Sequence, residues 1–520
     1  VTLMKKVRVM TAAEAAELVR DGQTVVTGGF VGSSCPEALS KALEQRFLET
    51  GKPEGLTLFY AAAQGNRDGS GADHFAHRGM VKRVIGGHWN MVPNLGTMVI
   101  NNEIEGYNLP QGTISQMFRD IAGKRPGTIT HVGLQTFVDP RISGGKLNEI
   151  TTEDLVEVIE IAGQERLLYK NIPVDMAFIR GSYADELGNV SVEREIGSLD
   201  ATAIAQACHN CGGKVIVQVE RIVSAGTLDP RLVKIPRIYV DGVVVAEPAD
   251  HEQCFGHAFD PSLTGELRKP LSAIQYDTLS AKKIIGRRAA MELVPGAVVN
   301  LGIGAPEYIA KVAGEEGMED DMVLTVEAGP IGGVPMGGSQ FGASVNPEAI
   351  LDQAVQFDFY DGGGVDLAFL GLAEADRNGN INVSKFGPRI AGAGGFINIT
   401  QNAKKVFFCG TFTAGGLKIS CEEGKLRILQ EGKQRKFVEA VEQITFSGKY
   451  AAQIGQPVMY ITERAVFALK EDGVYLTEIA PGIDLERDIL AHMDFQPKIE
   501  GELREMWGEI FMEKKMGLSG

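Results

Sequence analysis

The 520-residue chain is 44% hydrophobic and 23% charged, an ordinary globular composition with length enough for two or three cores. Its formal net charge of −16 argues against nucleic-acid backbones and anionic membranes as partners, because both require basic patches. No charge-free apolar run approaches the ~20 residues of a membrane-spanning helix.

Along the chain, the lysines near the N-terminus are not followed by the apolar stretch of a secretion signal. Ala12 to Arg20 carries alanines and leucine at helical spacing and leads into Asp21-Gly22, a predicted buried strand, and Gly28-Gly29-Phe30. A helix is predicted to start at Pro36-Glu37. His74 and His77 could share a helical face, but without a third ligand the pair reads as solvated, and no metal site is expected. Val174 to Val192 reads as a strand, an Asp-containing turn and a second strand entered through Gly188-Asn189. Cys208-His209-Asn210-Cys211 reads as the end of a helix before a strand from Lys214 to Val219. The six cysteines have no framework spacing and fit the reduced thiols of a cytoplasmic protein.

The second half repeats the first. With a constant offset of 191, Val365 to Val383 matches Val174 to Val192 at nine of 19 positions. Ala281 to Leu293 reads as a helix leading through Pro295-Gly296 into a strand, a glycine turn (Gly302-Ile303-Gly304) and a Pro306-Glu307 helix start. Lys405 to Cys409 parallels Lys214 to Val219. The expected fold class is therefore α/β, with two related domains of mostly parallel sheet fused in tandem over residues 1–265 and 281–520 and joined by a linker at 266–280.

Between these repeats lies the strand Val323–Glu327, an apolar run that ends in a carboxylate with Gly329 close behind. Ligands of parallel sheets bind beyond the carboxyl ends of strands. Spacing alone leaves two readings open for Glu327, a structural carboxylate capping the turn or a nucleophile beside glycine N–H groups. Gly302-Ile303-Gly304 and Gly392-Ala393-Gly394-Gly395 lack the third glycine of a dinucleotide turn, and neither a phosphate-binding loop of the GxxxxGK[ST] type nor a GxSxG elbow occurs.

In their order along nearly the whole chain, several motifs resemble those of family I coenzyme A transferases in the single-chain form, most of all the bacterial propionate (short-chain acyl) branch. They are Asp21-Gly22 leading to Gly28-Gly29-Phe30 and Pro36, Pro110-Gln111-Gly112-Thr113, Gly392 to Phe396, and Thr477-Glu478-Ile479-Ala480-Pro481-Gly482. Ser34 and Thr27 depart from the first signature. Val326-Glu327-Ala328-Gly329 stands where Ser-Glu-Asn-Gly is familiar, which weakens a 3-oxoacid transferase assignment more than the chemistry. The resemblance implies that Glu327 is the covalent nucleophile and that the amides of Gly394 and Gly395 form an oxyanion hole in a loop shaped by Gly392. It further implies that Gln111, Gly29, Phe30 and Asp361 serve substrate binding, for Asp361 against a turn-capping reading. No cofactor is implied, because CoA and acyl-CoA are substrates; the other partners are short-chain carboxylic acids and further copies of the chain, as a homo-oligomer (dimer or tetramer). The alternatives are an acyl-CoA hydrolase on the same scaffold, a 3-oxoacid transferase, or a non-catalytic acyl-CoA-binding regulator.

Overall fold

The computed structural model describes residues 4–62, 64–271 and 277–518. Part of the expected linker, 272–276, lies outside the described residues. The chain forms two compact units. The first comprises Val1–Lys269, Val326–Asp358 and Phe386–Asn398, and the second comprises Pro270–Thr325, Phe359–Lys385 and Ile399–Gly520. The first unit thus takes in two pieces of the second half, and one of them carries Glu327.

The first unit is built on seven parallel strands: β1 (Thr24–Thr27), β2 (Leu56–Tyr60), β3 (Val81–Gly86), β4 (Glu105–Asn108), β5 (Met176–Arg180), β6 (Lys214–Val219) and β7 (Gly242–Val245), in the order β7-β6-β5-β1-β2-β3-β4. Nearly all their residues are buried, as expected of a parallel sheet covered on both faces. Strand order reverses between β1 and β5, which opens a crevice at the carboxyl ends. There Gly28 donates its N–H to Phe178 O, and a side chain at Gly28 would press on Ile179, 3.1 Å from where its Cβ would stand.

In the second unit, β8 (Ala297–Leu301), β9 (Met322–Thr325), β10 (Leu367–Gly371), β11 (Lys405–Cys409) and β12 (Val458–Ile461) pair in parallel in the order β9-β8-β10-β11-β12. The antiparallel strands β13 (Ala465–Lys470) and β14 (Gly473–Ile479) extend the sheet. The α/β class with mostly parallel sheets is what the chain forms. The strand expected to reach Glu327 stops at Thr325, two residues short.

The repeat is visible atom by atom. Asp185 Oδ1 accepts the N–H groups of Leu187 and Asn189, and Asp376 Oδ1 accepts those of Asn378 and Asn380. Asp175 caps the start of β1 through Thr24 N–H at 2.8 Å, and Asp366 does the same for Val298 at 2.8 Å. Short polar side chains that bond nearby backbone are what such turns select.

Two predicted helices are shorter than expected. Ala12 to Arg20 is helical only over Ala12–Ala16, and Ala281 to Leu293 only over Ala281–Ala290. Both end in bonds to the third residue back (Leu18 to Ala15, Val19 to Ala16; Glu292 to Ala289, Leu293 to Ala290), so the last turn tightens out of α geometry. Cys208 and Cys211 are free thiols at the end of the helix Ala201–Asn210, as read. The histidine pair is a correction. His74 lies buried between Glu37 (Nε2 to Oε1, 2.5 Å) and Glu44, and His77 bonds Glu44 at 2.6 Å. Burial opposes a charge on His74, but the two glutamates outweigh it and raise its pKa above the ordinary value. Among the described residues, no helix is long and apolar enough to cross a membrane.

Candidate active site

Glu327 sits at the second position of a tight turn. Val326 N–H donates to Pro330 O (3.0 Å) and Gly329 N–H to Val326 O (3.0 Å), so the chain reverses with the Glu327 side chain at its tip. The buried Gln356 amide bonds both Val326 O (3.1 Å) and Pro330 O (3.3 Å) and locks the base of the turn. Gly329 has φ +131°, and its Cβ would stand 2.0 Å from Leu351 O, so only glycine fits. Val326 and Ala328 are 4% and 1% exposed and pack with Phe30, Val31, Ala62 and Leu199. Serine or asparagine at these two positions would put polar groups into an apolar cluster, which accounts for the departure from Ser-Glu-Asn-Gly.

The turn meets loops that leave the first unit's sheet. Beyond β3 run Gly87-His88-Trp89, and beyond β4 run Pro110 and the helix Gln111–Ala122. The glycine loop 391–395 lies along the first of these. Trp89 N–H donates to Ala391 O (2.9 Å), Gly394 N–H to Gly87 O (2.7 Å), and Ala393 N–H to Asn108 Oδ1 (2.9 Å). Asn108 in turn donates to Gly86 O and Gly87 O. Gly392, at φ +78°, comes so close that its Cβ would stand 2.7 Å from Trp89 N. The first N–H groups of the Gln111 helix, which lack partners within the helix, are taken by Gly394 O (Gln111, 3.0 Å) and Asn398 Oδ1 (Gly112, 3.1 Å).

Glu327 Oε1 lies 3.4 Å from the point where a Gly395 Cβ would be, and Gln111 Oε1 lies 3.6 Å from the corresponding point at Gly394. Adjacent Cα atoms are ~3.8 Å apart, so the two side chains meet neighbouring residues of one loop. The buried Phe357 ring wedges against Gly395 and Gly112. Glu327 is half-buried, and loss of hydration pushes its carboxyl up to about 7, only partly opposed by its own backbone N–H. Among the described residues no cation offsets that cost, as expected of a group held for chemistry rather than for an ion pair.

The structure divides the predicted residues. Glu327, Gln111, Gly392, Gly394 and Gly395 come together, and Phe30 reaches the cluster through Val326 and Ala328, with Gly29 at the start of its loop packed on Gln64. Within the predicted oxyanion pair, the Gly394 N–H is already donated to Gly87, whereas among the described residues the Gly395 N–H has no acceptor. Asp361 ends the helix Gln353–Asp361 and is grouped with the second unit. His88, Asn108, Gln356 and Phe357 were not anticipated. For His88 a signal existed, since Gly86-Gly87 follows the apolar pair Val84-Ile85 much as Gly28-Gly29 follows β1. For the other three there was none.

A family model described as Coenzyme A transferase matches residues 9–246. Caffeate CoA-transferase from Acetobacterium woodii is 47% identical over 517 residues, covering 98% of this chain and 98% of that protein. The chain belongs to the coenzyme A transferases. It is a family I transferase in the single-chain form, an enzyme that transfers coenzyme A. Acetate CoA-transferase YdiF from Escherichia coli (strain K12) is 45% identical over 515 residues, covering 98% of the transferase and 96% of YdiF. The crystal structure of the E. coli O157:H7 acyl-CoA transferase YdiF as a thioester complex with CoA superposes with a TM-score of 0.93 at 44% identity, covering 98% and 97% of the two chains.

Proposed function

We propose that this transferase moves CoA between a short-chain acyl-CoA and a free carboxylate of the acetate, propionate, butyrate or lactate type, through a thioester on Glu327. The Glu327 carboxylate attacks the thioester carbonyl, expels CoA thiolate and forms an acyl-glutamyl anhydride. The thiolate then attacks the glutamyl carbonyl, which releases the carboxylate and leaves glutamyl-CoA; a second carboxylate runs these steps in reverse. The observation that carries this reading is the half-buried Glu327 carboxylate, partly desolvated and placed beside Gly395, whose N–H is undonated among the described residues and available to an oxyanion. Gly394 and Gly392 hold the loop, and Gln111 meets the substrate carboxylate. Exclusion of water protects both intermediates from hydrolysis.

On this reading the two halves, 1–265 and 281–520, are related transferase domains, the first supplying Gln111 and the second Glu327. The short-chain assignment follows the likeness to YdiF; the relative named for caffeate provides the contrasting acceptor for a substrate panel. We read the protein as a cytoplasmic homo-oligomer that needs no resident cofactor.

Incubation with propionyl-CoA, without acceptor, is expected to add the mass of CoA less water to the peptide containing Glu327, and borohydride is expected to reduce that thioester. Steady release of propionate with no adduct and no need of an acceptor acid would instead mean a hydrolase. A pH dependence follows as well. Attack requires the ionised carboxylate, and kcat/KM for acyl-CoA reports the free enzyme. It should rise about tenfold per pH unit below about 7 and level off above. A profile flat from pH 5 to 8 would contradict the raised Glu327 pKa.

A further inference from the structure

Asp200 stands where the helix that starts at Gln111 meets the helix that locks the Glu327 turn. It directly precedes the helix Ala201–Asn210. Its Oδ2 accepts hydrogen bonds from Ser115 Oγ (3.0 Å) and from the Gln353 amide nitrogen (3.2 Å), which also donates to Ser115 Oγ at 2.7 Å. All three side chains are buried. Ser115 lies one turn beyond Gln111 on the same face of the helix Gln111–Ala122. Gln353 begins the helix Gln353–Asp361 and shares a face with Gln356 and Phe357, three and four residues on. Gln356 locks the base of the Glu327 turn, and Phe357 wedges against Gly395 and Gly112. One carboxyl group therefore ties the helix that presents Gln111 to the helix that holds Glu327 in place.

The backbone at this junction is strained. Leu199, packed with Val326 and Ala328, has φ +51°, a left-handed conformation that leucine rarely adopts. Such strain persists only where the surroundings over-determine it. Here Ser198 Oγ bonds Asp352, and the Gln353 N–H donates to Leu199 O at 3.1 Å. The acid is costly too. Burial, with Asp352 adding to it, pushes the Asp200 carboxyl up to about 7 against the Ser115 bond and Arg119, and among the described residues no cation bonds it. Strain and an unpaired buried acid beside the Glu327 turn are features kept for function at the expense of stability. We infer that Asp200 is a positioning residue for CoA transfer: by bonding both helices it sets the distance between Gln111 and the turn that carries Glu327. This rests on the Glu327 and Gln111 roles read above. The bonds do not depend on its charge, because Oδ1 has no protein partner among the described residues and can take a proton while Oδ2 goes on accepting.

The test uses the full-length enzyme charged with CoA from acetyl-CoA and then discharged by propionate. Asp200→Leu, Asp200→Asn and Ser115→Ala are compared with the parent, each alone and combined with Gln111→Ala. Formation of the CoA adduct at the end point shows that each variant is folded. For Asp200→Leu, which keeps the bulk but has no acceptor, the second-order rate constant of discharge should fall roughly 10-fold to 100-fold, the scale of a misplacement approaching 1 Å. Asp200→Asn keeps an acceptor oxygen for Ser115 and Gln353, and should stay within about threefold of the parent. Ser115→Ala cuts the tie to the Gln111 helix and should lose roughly 10-fold. In the Gln111→Ala background, which has already lost the positioned group, Asp200→Leu and Ser115→Ala should each cost less than about threefold more. If Asp200→Leu does not fold, Ser115→Ala alone and combined with Gln111→Ala decides the matter. Parent-like discharge by Asp200→Leu or Ser115→Ala, equal impairment of Asp200→Leu and Asp200→Asn, or an undiminished effect in the Gln111→Ala background overturns the assignment; the last result is what a merely structural role would give. Failure of the parent itself to form an adduct would overturn the Glu327 reading instead, so the two failures are distinguishable.

Discussion

Glu327→Ala is expected to lower CoA transfer at least ~10⁴-fold while leaving the fold intact, because it removes the carboxyl group on which both covalent intermediates of the proposed chemistry form. Glu327→Asp should lose roughly 10²-fold, since the carboxylate retreats by over ~1 Å from the acyl carbon. Glu327→Gln separates chemistry from stability. The folded-state pKa is raised from an ordinary 4.5 to about 7, so the group's contribution to stability is fully present below 4.5 and lost as pH rises through 7. Glu327→Gln carries no such loss. It should be inactive, melt above the parent at pH 8 and match it near pH 4.5. Activity near that of the parent in the alanine variant, or a glutamine variant that melts below the parent at pH 8, would remove Glu327 from the role. A side chain that destabilises the fold at working pH is what a stability–activity trade-off looks like at one residue.

The second large effect is expected at Gly329. A methyl group there would stand 2.0 Å from Leu351 O, on a backbone of φ +131° that other residues rarely adopt. The Leu351 N–H also bonds Gly329 O at 3.0 Å, so the clash cannot be relieved without moving the turn. Gly329→Ala should therefore displace Glu327 by about 1 Å and cut kcat/KM for acyl-CoA by at least ~10²-fold. Gly51→Ala is the control. Gly51 also has a left-handed φ, +72°, but open space around its Cβ position, so only a modest loss of stability is expected, with transfer unchanged. Kinetics and thermal melting of both variants check this; near-parent turnover in Gly329→Ala would show that the turn's geometry is not needed.

Much of the fold was legible because it is local. Buried β-branched runs ending in glycine announced β1 and β8, and the Asp-x-x-Gly-Asn pattern announced both hairpins with the bonds they make. The ends of Ala12–Ala16 and Ala281–Ala290 were misjudged because the helical pattern persists through a final turn in which the hydrogen bonds shorten their span. Glu327 was visible as a charge at the end of an apolar run. Val326 and Ala328 were visible as departures, but the apolar cluster around Phe30 that accounts for them was not.

The amino-acid sequence by itself determined the doubled α/β architecture, the carboxylate at a glycine turn and the glycines able to approach it, since each follows from periodicity or from conformations allowed to particular residues. Only the tertiary structure decided that, among the described residues, Gly395 rather than Gly394 keeps its N–H undonated, that segments 326–358 and 386–398 belong to the unit built on the first half, and that the His88 and Gln111 side chains abut the same glycine. These depend on hydrogen bonds and contacts between residues hundreds of positions apart, such as Gly394 with Gly87 and Gly112 with Asn398. A local pattern carries no information about which distant loop will claim a given N–H.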